Sequence, residues 1–285
     1  KLWLQKCLFS ILLLADQKLC EVQMQQEEKS VAPTAGKGSI KLALQFTIEQ
    51  SELEALCQIF QNSLLSGLEK SLSPGMQAVL LTRLLKHSID LKFEQKEILE
   101  DSLPVIRDHQ EPPLNTFKAR VVRGMFLTFI EHERGFPGLI ESMAGITSVG
   151  LGAGSFKLPG SERKVKLSEL QTNYPPADLV VSQQISLMQK LLVPGNLVGY
   201  PNVRTGVYSL LTGCSLLPFY AAVVRMNDAN PSDIDEVVPV AMQMVEERFS
   251  NNSERLHRFL NQNLFRVMFE ELFNHESTVF SIFSL

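Results

Sequence analysis

The chain has 285 residues, 45% of them hydrophobic and 20% charged, which are ordinary globular proportions. A chain this long buries roughly 70–75% of the surface its unfolded form exposes, so it needs no disulfide or metal staple, and so apolar a composition excludes disorder throughout. Its net charge is −4, from 27 Lys plus Arg against 31 Asp plus Glu, with no long basic run; this argues against dedicated nucleic-acid binding, which draws its free energy from neutralised phosphates.

Residues 2–28 read as a helix, very apolar at first and polar by Gln25. The opening superficially resembles a signal peptide, with an apolar stretch from Cys7 to Ala15. That stretch is too short to span a bilayer, and a buried helix is the reading adopted; secretion is the alternative. Residues 29–39, with Pro33, Gly36 and Gly38, form a loop. Ile40, Leu42, Leu44 and Phe46 then alternate with less apolar residues at strand period, or as an extended lead-in to a helix.

Thr47 with Gln50 permits a capping box. Leu53, Leu56, Cys57, Phe60, Leu64 and Leu68 follow at three- and four-residue steps on one helical face. Ser73-Pro74 supplies a cap and a proline at the first helical position, ahead of Met76, Leu80, Leu81, Leu84 and Leu85. A short helix over 92–103 precedes the break at Pro104 and Pro112-Pro113. Helices over 115–133 and 137–146 lead into a Gly- and Pro-rich stretch from Gly145 to Pro176, the longest region of weak signal.

Pro176 opens the next helix. Residues 202–225 are strongly apolar, and Pro218 predicts a kink or two short helices. Asn230-Pro231 and Asn251 with Glu254 read as two more helix starts, giving a candidate hairpin of Asn230–Phe249 with Asn251–Phe273. The apolar tail from Val279 to Leu285 must dock or lie exposed.

The fold class is therefore all-α, with at most one short β segment near 40–46. The uneven helix starts suit irregular stacked helix pairs of HEAT/ARM-like kind, or a helical bundle. The divisions are an amino-terminal helical subdomain over 1–144, a connecting region over 145–176 and a carboxy-terminal helical subdomain over 177–285, or one continuous domain.

Motifs for chemistry are sparse. His132-Glu133 and His275-Glu276 open like a zinc-protease motif, but Phe136 and Val279 stand where the second histidine belongs. Glu254 and His257 lie one turn apart, with Glu247 and Glu270 nearby in sequence; a surface ion pair is the simpler reading of such material. Cys7, Cys20, Cys57 and Cys214 form no CxxC pair and suit buried free thiols in a reducing, cytoplasmic setting. The glycines Gly150, Gly152 and Gly154, followed by the basic residues Arg163, Lys164 and Lys166, are the candidate anion or interaction contacts. Their spacing fits neither a dinucleotide fingerprint nor a P-loop, and no cofactor is expected.

Many amphipathic helices with little convergent chemistry point to an interaction scaffold or adaptor, more a binder than an enzyme. Its partner is another protein, or a peptide or helix from one. The alternatives are a helical enzyme whose site assembles from distant residues, and a binder of a lipid or apolar small molecule, with peripheral membrane contact open. No segment reaches transmembrane length without interruption.

Overall fold

The computed structural model describes residues 40–43, 46–90, 110–130, 155–157, 163–227, 234–250, 253–261 and 263–284. The expected helices over 2–28, 92–103 and 137–146, the loop over 29–39, the glycines from Gly145 to Gly154, the Asn230-Pro231 start, Asn251, Cys7, Cys20 and His132 lie outside them.

The strand-period segment forms a hairpin. β1 (Ile40–Ala43) pairs antiparallel with β2 (Phe46–Ile48), placing Lys41 opposite Thr47 and burying Leu42 and Ile48. Pairing claims Thr47, so the first helix starts later than its box predicts. Helix α1 (Gln50–Glu69) begins after Glu49, whose backbone N–H donates to the Glu52 carboxylate at 2.7 Å.

Leu53, Leu56, Cys57, Phe60 and Leu64 are buried as their spacing requires, but Leu68 is 43% exposed and Gly67 takes the inward position. A Cβ on Gly67 would lie 2.9 Å from Gln77 Cδ. Helices α1 and α2 (Pro74–Asp90) therefore approach at Gly67, and Leu68 turns outward. The turn between them is a Schellman motif: Leu72 N–H donates to Gly67 O and Ser71 N–H to Leu68 O, both at 2.9 Å, with Ser71 at φ 54°. Ser73 caps α2 by accepting from Met76 N–H at 3.2 Å, and Pro74 sits first in the helix as predicted.

Helix α3 (Thr116–Ile130) follows Asn115, whose Oδ1 accepts from Lys118 N–H at 3.2 Å. The weak-signal region carries a second strand pair, β3 (Ser155–Lys157) and β4 (Lys164–Lys166), antiparallel with Phe156 opposite Val165. Then come α4 (Leu167–Gln171), α5 (Ala177–Leu191), the single turn α6 (Pro194–Leu197), α7 (Val203–Ser215) and α8 (Leu217–Asn227). The axes of α7 and α8 differ by 45° at the break beside Pro218, as the proline predicts. Helices α9 (Ile234–Phe249), α10 (Glu254–Leu260), α11 (Asn263–Phe273) and α12 (Glu276–Ile282) complete a mainly helical fold.

The expected single helix over Asn251–Phe273 is thus two helices, α10 and α11, and α10 begins after a different cap, Ser253, which accepts from Leu256 N–H at 3.4 Å. The principal partner of α9 is α8 rather than the helices that follow it.

The helices gather around α7. It touches β1, α2, α5, α6, α8, α9 and α11, and every one of its residues except Arg204 is buried. In a stacked row each pair meets only its neighbours; here α12 packs against both α2 and α3, far earlier in the chain. One buried cluster runs from Leu42 to Ile282 and includes side chains from both sides of residues 145–176. Many of the described phenylalanines are core: Phe126 on α3 stacks on Phe249 at 5.5 Å and meets Phe259 and Phe269 edge-on at 5.2 and 4.9 Å. The expected tail docks, with Val279, Phe280 and Ile282 buried.

Close packing on α7 uses glycine. A Cβ on Gly213 would lie 2.6 Å from Phe249 Cγ, and one on Gly206 would lie 2.9 Å from the Tyr200 ring. Alanine at 213 gains about 1 kcal/mol of helix propensity, but overpacking a rigid core costs about 1–3 kcal/mol. Because the clash is with the root of the Phe249 ring, Gly213→Ala is expected to lower stability by about 1 kcal/mol or more, read from urea unfolding midpoints.

Candidate functional site

A helix buried on all sides has end groups that water cannot reach, and each must find a partner. At the amino end of α7, Asn202 Oδ1 accepts from Thr205 N–H at 2.8 Å, with the Thr205 hydroxyl oxygen 3.1 Å away. Glu270 reaches the same point from α11. Its carboxylate accepts from Asn202 Nδ2 at 3.3 Å, from the Thr205 hydroxyl, and from Arg204 Nη2 at 2.5 Å. The Glu270 side chain is 5% exposed and that of Arg204 21%. A carboxylate at this end also meets the positive pole of the helix dipole.

At the other end, Gln184 Nε2 donates to Cys214 O at 3.2 Å and Arg123 Nη2 to Ser215 O at 3.1 Å. Burial pulls the Arg123 guanidinium below its ordinary value, and a hydrogen bond with Tyr174 offsets part of this. Both Gln184 and Arg123 are buried. Anion at one pole and cation at the other is the arrangement the dipole favours.

The amino-terminal cluster continues into a half-buried seam. On α2, Arg83 grips Glu276 with two hydrogen bonds, Nε to Oε1 at 2.8 Å and Nη2 to Oε2 at 2.7 Å. One turn on, Lys86 Nζ donates to Asn274 O at 2.7 Å. Tyr208 Oη meets Asn274 Oδ1 at 3.5 Å, and burial pushes its phenol up to about 12. Burial lowers the Lys86 ammonium, opposed by the nearby Glu276. The Arg83 hydrogen bonds hold the Glu276 carboxyl below its ordinary value, against the opposing effect of burial.

This junction of α2, α7, α11 and the start of α12 is the strongest convergence of charge among the described residues. Its two carboxylates are each hydrogen-bonded to a junction arginine, an arrangement that locks helices together and leaves neither acid poised as a free base. Cys57 and Cys214 are free and buried as expected; burial pushes Cys57 up to about 12 and Cys214 higher, so neither is a nucleophilic thiolate near neutrality. Among the described residues, no group of three or more His, Cys, Asp or Glu is placed to hold a metal ion.

The residues singled out from sequence lie elsewhere. Arg163, Lys164 and Lys166 are exposed on and beside β4, and Arg163 Nη2 meets Glu169 Oε1 at 2.8 Å. Gly150, Gly152 and Gly154 lie outside the described residues. Glu254 forms an exposed pair with Arg258 at 2.8 Å, and His257 lies beside the Tyr200 ring, 5.8 Å between centroids. The sequence pointed to Glu270 only as a neighbour of His257, because its partners stand 65 to 68 positions away.

Among the described residues no single helix is long and apolar enough to cross a membrane; α7 and α8 pass by length and composition only as a bent pair. Compared with known proteins, the chain matches no family model, no curated protein and no solved structure.

The seam makes a pH prediction. A carboxylate lowered in the folded state contributes stability that is complete above its unfolded value and is lost as the pH falls through the folded one. Glu276 is lowered from an ordinary 4.5. Arg83→Met is therefore expected to be less stable than the parent at neutral pH, with the difference shrinking toward about pH 3. Urea unfolding at the two pH values measures it.

Proposed function

We propose that the chain is a protein-binding scaffold or adaptor, whose partner presents an apolar helix or peptide. The observation that carries this reading is the outer side of α1, where Leu65 is 53% and Leu68 43% exposed, three positions apart on the helix. Neighbouring apolar side chains left in water at helical spacing are the anchors a partner helix uses. The internal pairing of the α7 junction supports the same reading, since its charges are spent on joining helices. A cytoplasmic setting belongs to this proposal and rests on the buried free thiols Cys57 and Cys214.

The test is site-specific photocrosslinking in cells of the source, with a benzophenone amino acid in place of Leu65, Leu68 or the exposed Glu254 on α10. The expected result is one adduct of defined protein mass from positions 65 and 68 and none from 254. No adduct at 65 and 68, or the same adducts from all three positions, contradicts it.

A further inference from the structure

We propose that α12 exchanges between copies of this chain, so that the α2–α3 groove which receives it also receives the α12 of a second copy. The proposal is independent of the partner-binding face on α1.

The first ground is the connection between α11 and α12. Only Asn274 and His275 separate them, and from Asn263 to Leu285 the sequence holds neither glycine nor proline. Asn274 is the local stop signal, and a weaker one than glycine or proline. The helical ladder already reaches Asn274, whose N–H donates to Glu270 O at 3.0 Å. Were Asn274 and His275 helical too, Asn263 to Ile282 would run as one rod on the order of 30 Å long. That rod would carry α12 away from its own α2.

The second ground is what folds α12 back. Its strongest restraints at the hinge come from α2: Lys86 holds the Asn274 carbonyl at 2.7 Å, and Arg83 clamps Glu276 through two hydrogen bonds; Tyr208 on α7 adds a contact to the Asn274 side chain at 3.5 Å. The break is thus fixed chiefly by the contacts from α2. Those contacts are available unchanged from the α2 of a second copy, which is the condition for exchanging an element between protomers.

The third ground is the seat. α12 lies on α2 and α3, with little contact to α11. Its recognition is specific: the Phe280 carbonyl would be 2.9 Å from a Cβ on Gly75, and Ser281 Oγ accepts from Asn115 N–H at 2.7 Å. Yet the seat is imperfect, because the fully buried Thr278 hydroxyl finds no hydrogen-bond partner among the described residues. The unsatisfied hydroxyl lowers the cost of releasing α12 and is the same whichever copy fills the seat, so the weakly encoded hinge sets the balance between the closed and exchanged forms.

The hinge supplies the test, on the full chain. Asn274→Ala with His275→Ala favours the straight rod, and Asn274→Gly with His275→Gly disfavours it. A swapped dimer contains two hinges, so the dimer dissociation constant of the alanine hinge is expected to be at least about a hundredfold lower than that of the glycine hinge, read by light scattering across a concentration series. A cysteine pair, Arg83→Cys with Glu276→Cys, in a chain that also carries Cys7→Ser and Cys20→Ser, reports where α12 sits when it is joined by a short bismaleimide linker, which spans the reach of the original side-chain pair. Linked, it is expected to join two chains in the alanine-hinge dimer and to close within one chain in the glycine-hinge monomer. The same pair with the native hinge, linked at high protein concentration, is expected to give covalent dimers. An alanine hinge that stays monomeric, or a dimer whose cysteines close within one chain, overturns the proposal.

Discussion

The described fold is organised by placing one helix, α7, out of reach of water. With every residue but Arg204 buried, its apolar faces supply the contact surface on which the surrounding elements meet. The same burial removes solvent from both helix ends, where backbone groups have no partner within the helix. Side chains must supply the partners. At the amino end the adjoining Asn202 accepts from the Thr205 N–H, and Glu270 from α11 holds the Asn202 and Thr205 side chains in place; at the carboxyl end Gln184 from α5 and Arg123 from α3 donate to the last carbonyls. Polar pairing and apolar packing are therefore one requirement here, since each partner from another element sits on a helix that α7 or the helices around it hold in place.

Two internal hydroxyls are absorbed within the helix, Thr212 donating to Tyr208 O at 2.9 Å and Ser215 to Thr212 O at 2.7 Å, whereas the buried Ser209 hydroxyl finds no hydrogen-bond partner among the described residues. Where the sequence provides no side chain, α7 gains contact instead: Gly206 receives the Tyr200 and Leu197 side chains, and Gly213 receives Phe249. Tyr200 also donates its hydroxyl to the Phe249 carbonyl, tying the entry of α7 to the end of α9. A core built this way tolerates little change in volume or in hydrogen bonding.

Local signals in the sequence identify much of this and stop at a definable point. Ser73-Pro74 and the Pro218 break are encoded by adjacent residues, and the structure has both. Leu68 shows how periodicity misleads: spacing puts it with Leu64, yet the approach of α2 at Gly67 claims the inward position. Thr47 was available as a cap until strand pairing took it. Glu270, Arg123 and Gln184 could not be read as a set, because each meets α7 across 30 to 92 positions of chain. The basic run at Arg163, Lys164 and Lys166 drew notice by adjacency alone, whereas the strongest charge cluster assembles from four separate helices.

Native-state hydrogen exchange across α7, compared with the same helix in Glu270→Ala, tests the central claim most directly. If buried capping holds this helix at the centre of the fold, its amides in the parent exchange only through global unfolding. In the variant, protection then falls first at Thr205 and its neighbours in the opening turn. Exchange of the α7 amides in the parent through a local opening, while α8 and α9 remain protected, would contradict the account.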